Sequence, residues 1–361
     1  MKSILFLSGR ELQYPRNQVI FNSLSQVYKL VRPNGGDEAI RKGGLKQIII
    51  RSIRQSLDVL FSRSTHRCDL VYAGFYGQLL ANLFFRFSKK PLILDFFVST
   101  YETLVEDRKI FKEGTRLADL AYSLDTGALK AAELIFVDTN QQKARFSSQF
   151  NLPLAKFRTI YVGCDEKLFY PRSSSAVSGL ILYYCGFLPL HGVATVLEAA
   201  LLLKNRPDLR FLLVGDGPER RMIEAKIREM SVTNFKMQDF VPIEALPDLI
   251  STADMCLGGH FSSSRKAQNV IPGKIFQLMA MKKPIIAGNT DANRELLTNG
   301  ENALLVEPGD AKALANSILT LYDDSCLKER LATNALTQYQ RLASNKVIAD
   351  AVLGAFKDVL E

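Results

Sequence analysis

Short aliphatic runs alternate with longer amphipathic stretches along almost the whole chain, and this alternation constrains the fold more than any other feature. The runs are bounded by Gly, Pro, Asp or Asn, as buried strands usually are, and the stretches between them have a helical period. Alternating strands and helices predict parallel sheets that are covered by helices on both faces. We predict strands at residues 3–7, 70–72, 92–95, 134–138, 157–161, 180–185, 210–214, 235–238, 255–257, 284–287 and 303–306.

A serine-rich stretch without an apolar period, YPRSSSAVSG at residues 170–179, interrupts the alternation. A chain of 361 residues is long enough for two domains. We therefore predict an α/β fold of two doubly wound, Rossmann-like domains that face a central cleft, one at 1–171 and one at 172–343. We expect the last helix, at about 344–361, to pack back on the first domain. Ligands of such folds bind beyond the carboxyl ends of the strands.

The composition is that of a soluble globular protein, with 47% hydrophobic and 23% charged residues. Five cysteines without a C-x-x-C pair indicate small buried side chains in a reducing compartment, not disulfides or a zinc site. No apolar run approaches the roughly 18 residues of a membrane span, and the first strand lacks a signal-peptide cleavage site. We expect a cytoplasmic protein, with peripheral contact to the inner face of a membrane as an open alternative.

The net charge of +9 belongs to one end of the chain, because residues 1–100 hold 15 Lys and Arg against 6 Asp and Glu. Such an end suits an anionic partner. Within it, residues 44–63 have a helical apolar stripe with basic residues off the stripe. That pattern is typical of an ordinary helix with a solvated face or of a helix on an anionic membrane surface. Without an aromatic-basic motif we expect no nucleic-acid partner. The basic residues of this helix are Lys46, Arg51, Arg54 and Arg63.

The stretch NVIPGKIFQLMAMKKPII, at residues 269–286, opens an apolar helix with Pro-Gly-Lys. Proline suits the first helical position, and Gly273 lets a ligand approach the backbone. The helix N-terminus then favours an anion, to which Lys274 adds a full positive charge. The alternative is that the Lys274 side chain only extends from the helix end to water.

Further motifs follow strands of the second half at similar spacings. In this order they resemble the donor-binding domain of the family 4 glycosyltransferases, which have the GT-B fold, over about residues 180–319. VGCDEKLFYP at 162–171 is similar to the segment that precedes the linker in that family. The resemblance implies a transferase that moves a sugar from a nucleotide sugar to an acceptor, with retention and without an essential metal or other cofactor. The motifs are LILYYCGFLPLHG (180–192), FLLVGDGP (211–218), FVPIEALPDLISTAD (240–254) and NRELLTNGENALLVEPGD (293–310).

The sequence departs from the family pattern at several of the positions that the resemblance marks. The family commonly has Arg or Ser at Phe187 and Lys at His191, and it has two glutamates where this chain has Asn269 and Gln277. We expect Lys274 to replace the missing lysine charge, and donor affinity to rise as the pH falls through about 6.5, the usual pKa of histidine. His191 as a helix cap and Asn269 as a turn residue remain alternatives. The implied donor site is Gly186, His191, Gly215, Asp216, Gly273, Lys274, Gln277 and Glu295, with Asn269 near the reacting sugar.

In the first domain, which the resemblance makes the acceptor side, Arg16 and Asn17 occupy the first turn of a helix after Pro15. We expect them to face the cleft, or else to form an ordinary solvated helix start. Asp95 ends a strand close to where related enzymes often have a histidine, so it is a candidate catalytic residue that contacts the acceptor hydroxyl or the reacting sugar.

Two further functions stay open beside a transferase of cell-surface polysaccharide or glycolipid assembly. One is a catalytically silent relative that binds a nucleotide sugar or a partner protein. The other is a nucleotide-sugar epimerase on the same fold. The amides at Asn269 and Gln277 motivate the first of these alternatives.

Overall fold

The computed structural model describes residues 1–33, 45–61, 67–107, 109–173, 176–230 and 232–361. The chain divides into two compact units, Met1–Val162 with Asn345–Glu361 and Gly163–Ser344. The division falls before the predicted one at 171/172 because Cys164 is already buried in the second unit. Its thiol lies 3.2 Å from the Tyr339 hydroxyl and 3.8 Å from the Phe276 carbonyl oxygen.

The first unit contains a six-stranded parallel sheet in the order β2-β1-β3-β4-β5-β6. Its central strands are continuous apolar runs, which suit a sheet that is covered on both faces. The last helix, α13, packs on α1, as predicted, and buries Phe356 against Tyr72 and Phe136. A π-helical segment, Glu102–Asp107, precedes α4. The elements are β1 Ser3–Ser8, α1 Pro15–Ser25, β2 Lys29–Val31, α2 Leu45–Phe61, β3 Leu70–Gly74, α3 Gln78–Phe87, β4 Leu92–Asp95, α4 Arg116–Ala131, β5 Leu134–Val137, α5 Asn140–Gln149, β6 Phe157–Thr159 and α13 Asn345–Leu360.

The second unit repeats this architecture, with a parallel sheet in the order β12-β11-β10-β7-β8-β9. Its core joins side chains from the strands to the helices that cover them, among them Phe187, Val196, Phe211 and Ile286. The elements are β7 Val177–Cys185, α6 Val193–Leu202, β8 Arg210–Gly215, α7 Arg220–Met230, β9 Phe235–Gln238, α8 Leu246–Thr252, β10 Ala253–Gly259, α9 Arg265–Asn269, α10 Gly273–Ala280, β11 Ile285–Gly288, β12 Leu304–Val306, α11 Ala311–Asp323 and α12 Ser325–Leu342.

The predicted α/β architecture is confirmed, and each predicted strand is present with small shifts of its ends. The strand that the prediction lacked is β2, a three-residue edge strand whose side chains are only partly buried. Such a strand has too few apolar residues to stand out from a loop. Among the helices of the described ranges, none is both long and apolar enough to cross a bilayer.

Helix α2 corrects one prediction directly. Arg51 was expected at the surface, where it would meet an anionic membrane, but it is buried together with Ser52 and Gln55. Arg54 is exposed, as expected. Arg63 and the side chain of Lys46 lie outside the described residues.

Candidate functional site

The strand order of the second sheet reverses at β7, and several of the predicted donor-site residues lie at this point. From β7 the chain continues to β8 and β9 on one side, and β10 pairs with the other edge of β7. Open α/β sheets bind ligands at the carboxyl ends of strands beside such a reversal. Gly186 directly follows β7, Gly215 ends β8, and Gly273 begins α10.

The loops after β7 and β8 touch backbone to backbone. Gly215 has φ +140°, and a Cβ there would lie 2.0 Å from the Cys185 carbonyl oxygen. A Cβ at Gly217 would lie 1.9 Å from the Gly186 carbonyl oxygen. Glycine is therefore required at both positions. Between them, Asp216 is exposed, and its carboxylate accepts a hydrogen bond of 2.8 Å from the Gly217 N–H.

Lys274 is the second residue of α10, and only 8% of it is exposed. Its ammonium Nζ lies over the ring of Tyr183, 4.6 Å from the centroid, and has no hydrogen-bond acceptor among the described residues. Burial lowers the pKa of Lys274 from 10.5 to about 8. A buried cation without an acceptor is poorly solvated, so an anion at the start of α10 would relieve an existing penalty.

His191 ends a short 3-10 turn, Pro189–His191, between β7 and α6. Its Nδ1 accepts a hydrogen bond of 3.2 Å from the Leu188 N–H, so the neutral ring carries its proton on Nε2. Burial, and secondly the charges of Lys274 and Lys266, lower the pKa of His191 to about 2. The ring is therefore uncharged at physiological pH. With the ring uncharged, His191 gives no reason to expect donor affinity to rise below pH 6.5, and it offers a neutral Nε2–H donor instead.

The backbone at His191 is held from two sides. Its carbonyl oxygen accepts from the Tyr183 hydroxyl at 2.7 Å and from the Phe261 N–H at 3.3 Å. Gly192 follows with φ +65°, and a Cβ there would lie 2.4 Å from the Phe261 carbonyl carbon. The His191 ring stacks on His260, with centroids 5.5 Å apart. These contacts fix the position of the ring beside β7.

Gln277 lies one turn after Lys274 on α10 and is half-buried. Its Oε1 accepts a hydrogen bond of 2.9 Å from the Tyr184 hydroxyl, which leaves the Nε2 group to act as a donor. His191, Lys274 and Gln277 are thus brought together around the two tyrosines of β7. These tyrosines are absent from the predicted set, although two hydroxyls at the end of an otherwise aliphatic strand are a usable signal. His260, which is also absent from the predicted set, directly follows β10 and stacks on the His191 ring.

Two other predicted residues lie on neighbouring elements. Asn269 ends the short helix α9, and its Nδ2 donates to the Arg265 carbonyl oxygen at 2.8 Å. This contact lies within the helix, so Asn269 is a helix-end residue and not the turn residue of the alternative interpretation. Glu295 is half-buried at the end of the 3-10 turn Asn293–Glu295, which follows β11.

Arg16 and Asp95 in the first unit are fully buried and paired with each other. The Arg16 Nε and Nη2 atoms donate to the Asp95 carboxylate at 2.8–2.9 Å, and the Tyr72 hydroxyl lies 3.3 Å from it. Arg16 also donates to the Ile160 carbonyl oxygen at 2.6 Å. Both carboxylate oxygens are occupied and none of this network is exposed. The expectation that Asp95 and Arg16 meet a substrate is therefore wrong, because the two buried charges are paired and hydrogen-bonded with each other.

Asn17 is also fully buried, and it shapes a loop. Its Nδ2 donates to the Ser8 hydroxyl at 2.8 Å and to the Glu11 carbonyl oxygen at 3.0 Å, and its Oδ1 accepts from the Phe75 N–H at 3.3 Å. The side chain ties the β1–α1 loop to the end of β3. Asn17 does not face a ligand, contrary to the expectation.

Solved structures of known proteins share the fold described above. The structure superimposes on HepE from Anabaena, solved with UDP and glucose, with a TM-score of 0.73 at 17% identity over 99% of both chains. It superimposes on sucrose-phosphate synthase from Thermosynechococcus elongatus with a TM-score of 0.77, again at 17% identity over 99% of both chains. These neighbours establish the two-domain GT-B fold.

Residues 179–324 match the family model described as glycosyl transferases group 1. Alpha-D-kanosaminyltransferase of Streptomyces kanamyceticus is 25% identical over 50% of this chain and 46% of its own length. 2-Deoxystreptamine N-acetyl-D-glucosaminyltransferase of Niallia circulans is 22% identical over 82% of this chain and 75% of its own. The chain spans about half the length of most curated relatives that it matches. The predicted resemblance to glycosyltransferases is confirmed: the match to the group 1 family model lies in the second unit, and the chain as a whole has the GT-B fold.

Proposed function

We propose that the protein transfers a sugar from a nucleotide sugar to an acceptor and that the second unit binds the donor. The observation that carries the proposal is Lys274, a buried cation at the start of α10 without a hydrogen-bond acceptor among the described residues. The names of its relatives, which are glycosyltransferases, and the nucleotide in the HepE structure support the same reaction class.

In this proposal the donor diphosphate lies between the start of α10 and the loop after β7. The Lys274 ammonium and the His191 Nε2–H group meet its oxygens, and the helix N-terminus adds its dipole. These groups gain most when the nucleoside diphosphate leaves, because its negative charge then increases, so they stabilise the transition state. The Gln277 Nε2 group donates a hydrogen bond to a ribose hydroxyl. The glutamate that the family has at this position would instead accept a hydrogen bond from that hydroxyl.

The finer features of the reaction belong to the same proposal. Transfer proceeds with retention, as the family resemblance implies. It needs no essential metal, because cationic and N–H groups of the protein supply the charge that the diphosphate needs. The acceptor is a sugar or a lipid-linked sugar of surface polysaccharide or glycolipid assembly. The protein works on the cytoplasmic side and contacts the membrane surface peripherally.

Calorimetry with UDP, GDP, ADP and CMP and their sugar conjugates tests the donor site. UDP-glucose is the first conjugate to try, because HepE was also solved with it. We expect one nucleotide to bind, with the same affinity in the presence of a chelator, and product analysis with acceptor extracts to show a transferred sugar. Binding without transfer or donor hydrolysis would favour the catalytically silent relative. An altered sugar without acceptor would favour the epimerase.

A further inference from the structure

Helix α2 turns its polar face to the domain and its apolar face to solvent. Arg51, Ser52, Gln55 and Val59 are buried. The residues two positions before each of them, about 200° away around the helix, are Ile49, Ile50, Ile53 and Leu57, and they are between 40% and 50% exposed. A helix that is adapted to water has the opposite arrangement. The outer face of α2 therefore suits an apolar neighbour.

A specific contact fixes this rotation of the helix. The Gln55 Nε2 group donates to the Ser8 carbonyl oxygen at 2.7 Å, and the Gln55 Oε1 atom accepts from the Ser8 N–H at 3.2 Å. Ser8 ends β1, so the Gln55 amide ties the end of this strand to α2. Rotating α2 to bury its isoleucines would break both bonds and leave a buried backbone pair without partners.

The apolar surface continues on the neighbouring helices. α3 packs beside α2, and α4 packs beside α3. Phe85 of α3 is 59% exposed, and Leu117 and Leu120 of α4 are exposed to a similar extent. Exposed apolar side chains spread over adjacent helices mark interaction sites on soluble proteins.

Exposed cationic side chains border the α2 and α3 part of this surface. Arg54 borders the apolar face of α2 and is exposed, and Lys89 and Lys90, which follow α3, are exposed as well. They belong to the first 100 residues, which hold the basic excess of the chain. Long cationic side chains beside an aliphatic stripe suit a bilayer with anionic headgroups, since the stem lies on the acyl region and the charge reaches the phosphates.

We propose that the face formed by Ile49, Ile50, Ile53 and Leu57 inserts into the surface of a bilayer that carries anionic lipids. This deepens the proposed peripheral membrane contact and replaces the contact through Arg51 by an apolar one. Phe85 lies on the adjacent helix and extends the surface. The inference does not require the transfer reaction.

The chain has no tryptophan, so a single introduced tryptophan reports its own surroundings. Leu57→Trp places the probe on the face. Leu202→Trp is the matched control, because Leu202 is 53% exposed on α6 of the second unit. Adding vesicles of phosphatidylcholine with phosphatidylglycerol should shift the Leu57→Trp emission to the blue and allow quenching by brominated lipids. The control should not respond, and pure phosphatidylcholine should give weaker binding.

The double variant Ile53→Glu/Leu57→Glu should lower vesicle affinity at least about tenfold, whereas Leu202→Glu should not. Unchanged Leu57→Trp emission with vesicles would overturn the proposal. So would a blue shift without vesicles that grows with protein concentration, since a second copy would then cover the face. Nucleotide calorimetry on the same double variant separates the two proposals. If the variant still binds nucleotide but no longer binds vesicles, the substitutions have disrupted the membrane face and left the donor site intact.

Discussion

Replacing Lys274 by methionine should stabilise the ligand-free protein while it weakens donor binding. Methionine keeps the length and the apolar stem of lysine but carries no charge. The wild-type ammonium is buried over the Tyr183 ring and has no acceptor among the described side chains and backbone groups. A charge that lowers stability in the free protein is expected where a bound ligand uses that charge.

The magnitude follows from the pKa of Lys274, which burial lowers from 10.5 to about 8. A difference of roughly 2.5 units corresponds to about 3 kcal/mol at neutral pH, where the lysine is charged in both the folded and the unfolded state. As the pH rises from about 8 to 10.5, the folded protein loses this proton before the unfolded chain does. Wild-type stability therefore increases relative to the variant in that window, and the advantage of Lys274→Met disappears.

Denaturant and thermal unfolding at pH 7 and pH 10.5 measure this directly. We expect Lys274→Met to unfold roughly 6–12 °C higher than wild type at pH 7 and close to wild type at pH 10.5. Lys236→Met, which changes an exposed lysine of β9, is the control and should change little at either pH. A Lys274→Met protein that is less stable than wild type at pH 7 would refute the assignment of an unsatisfied buried charge.

Three further outcomes are expected. Donor affinity of the wild type, measured by calorimetry, should fall about tenfold from pH 7 to pH 9 as Lys274 loses its proton, and a flat profile would contradict its role. Gly215→Ala should destabilise by about 1–3 kcal/mol in denaturant melts and weaken donor binding, because the new Cβ meets the Cys185 carbonyl oxygen; wild-type behaviour would contradict the close approach. Asp95→Asn should destabilise by about 3–5 kcal/mol because it leaves Arg16 without its counter-charge, whereas a stable but inactive variant would restore Asp95 as a catalytic candidate.

The fold could be predicted from the sequence because each inner strand is a compact aliphatic run between turn residues. Strands β4 and β9 begin and end where the pattern places them. The glycines after β7 and β8 were predictable for a related reason: strand-end turns with close backbone approach admit little else. The sequence singles out Lys274 because a charged residue in the first turn of an otherwise apolar helix is unusual.

The remaining features depend on contacts between distant parts of the chain. Asp95 could not be recognised as the partner of Arg16, because the two are 79 residues apart and only the tertiary fold brings the start of α1 to the end of β4. The rotation of α2 depends on one amide, Gln55, bonding to Ser8. The neutral state of His191 follows from its burial and from nearby lysines, neither of which a local motif records.

The most direct test of the donor site compares a nucleoside diphosphate with its nucleoside on wild type and Lys274→Met by calorimetry at pH 7. The base is the one that binds best in the screen. We predict that wild type binds the diphosphate much more tightly than the nucleoside. In Lys274→Met the ratio of the two affinities should fall about 5- to 150-fold, while the affinity for the nucleoside is unchanged. An equal preference for the diphosphate in both proteins would contradict the central role of Lys274.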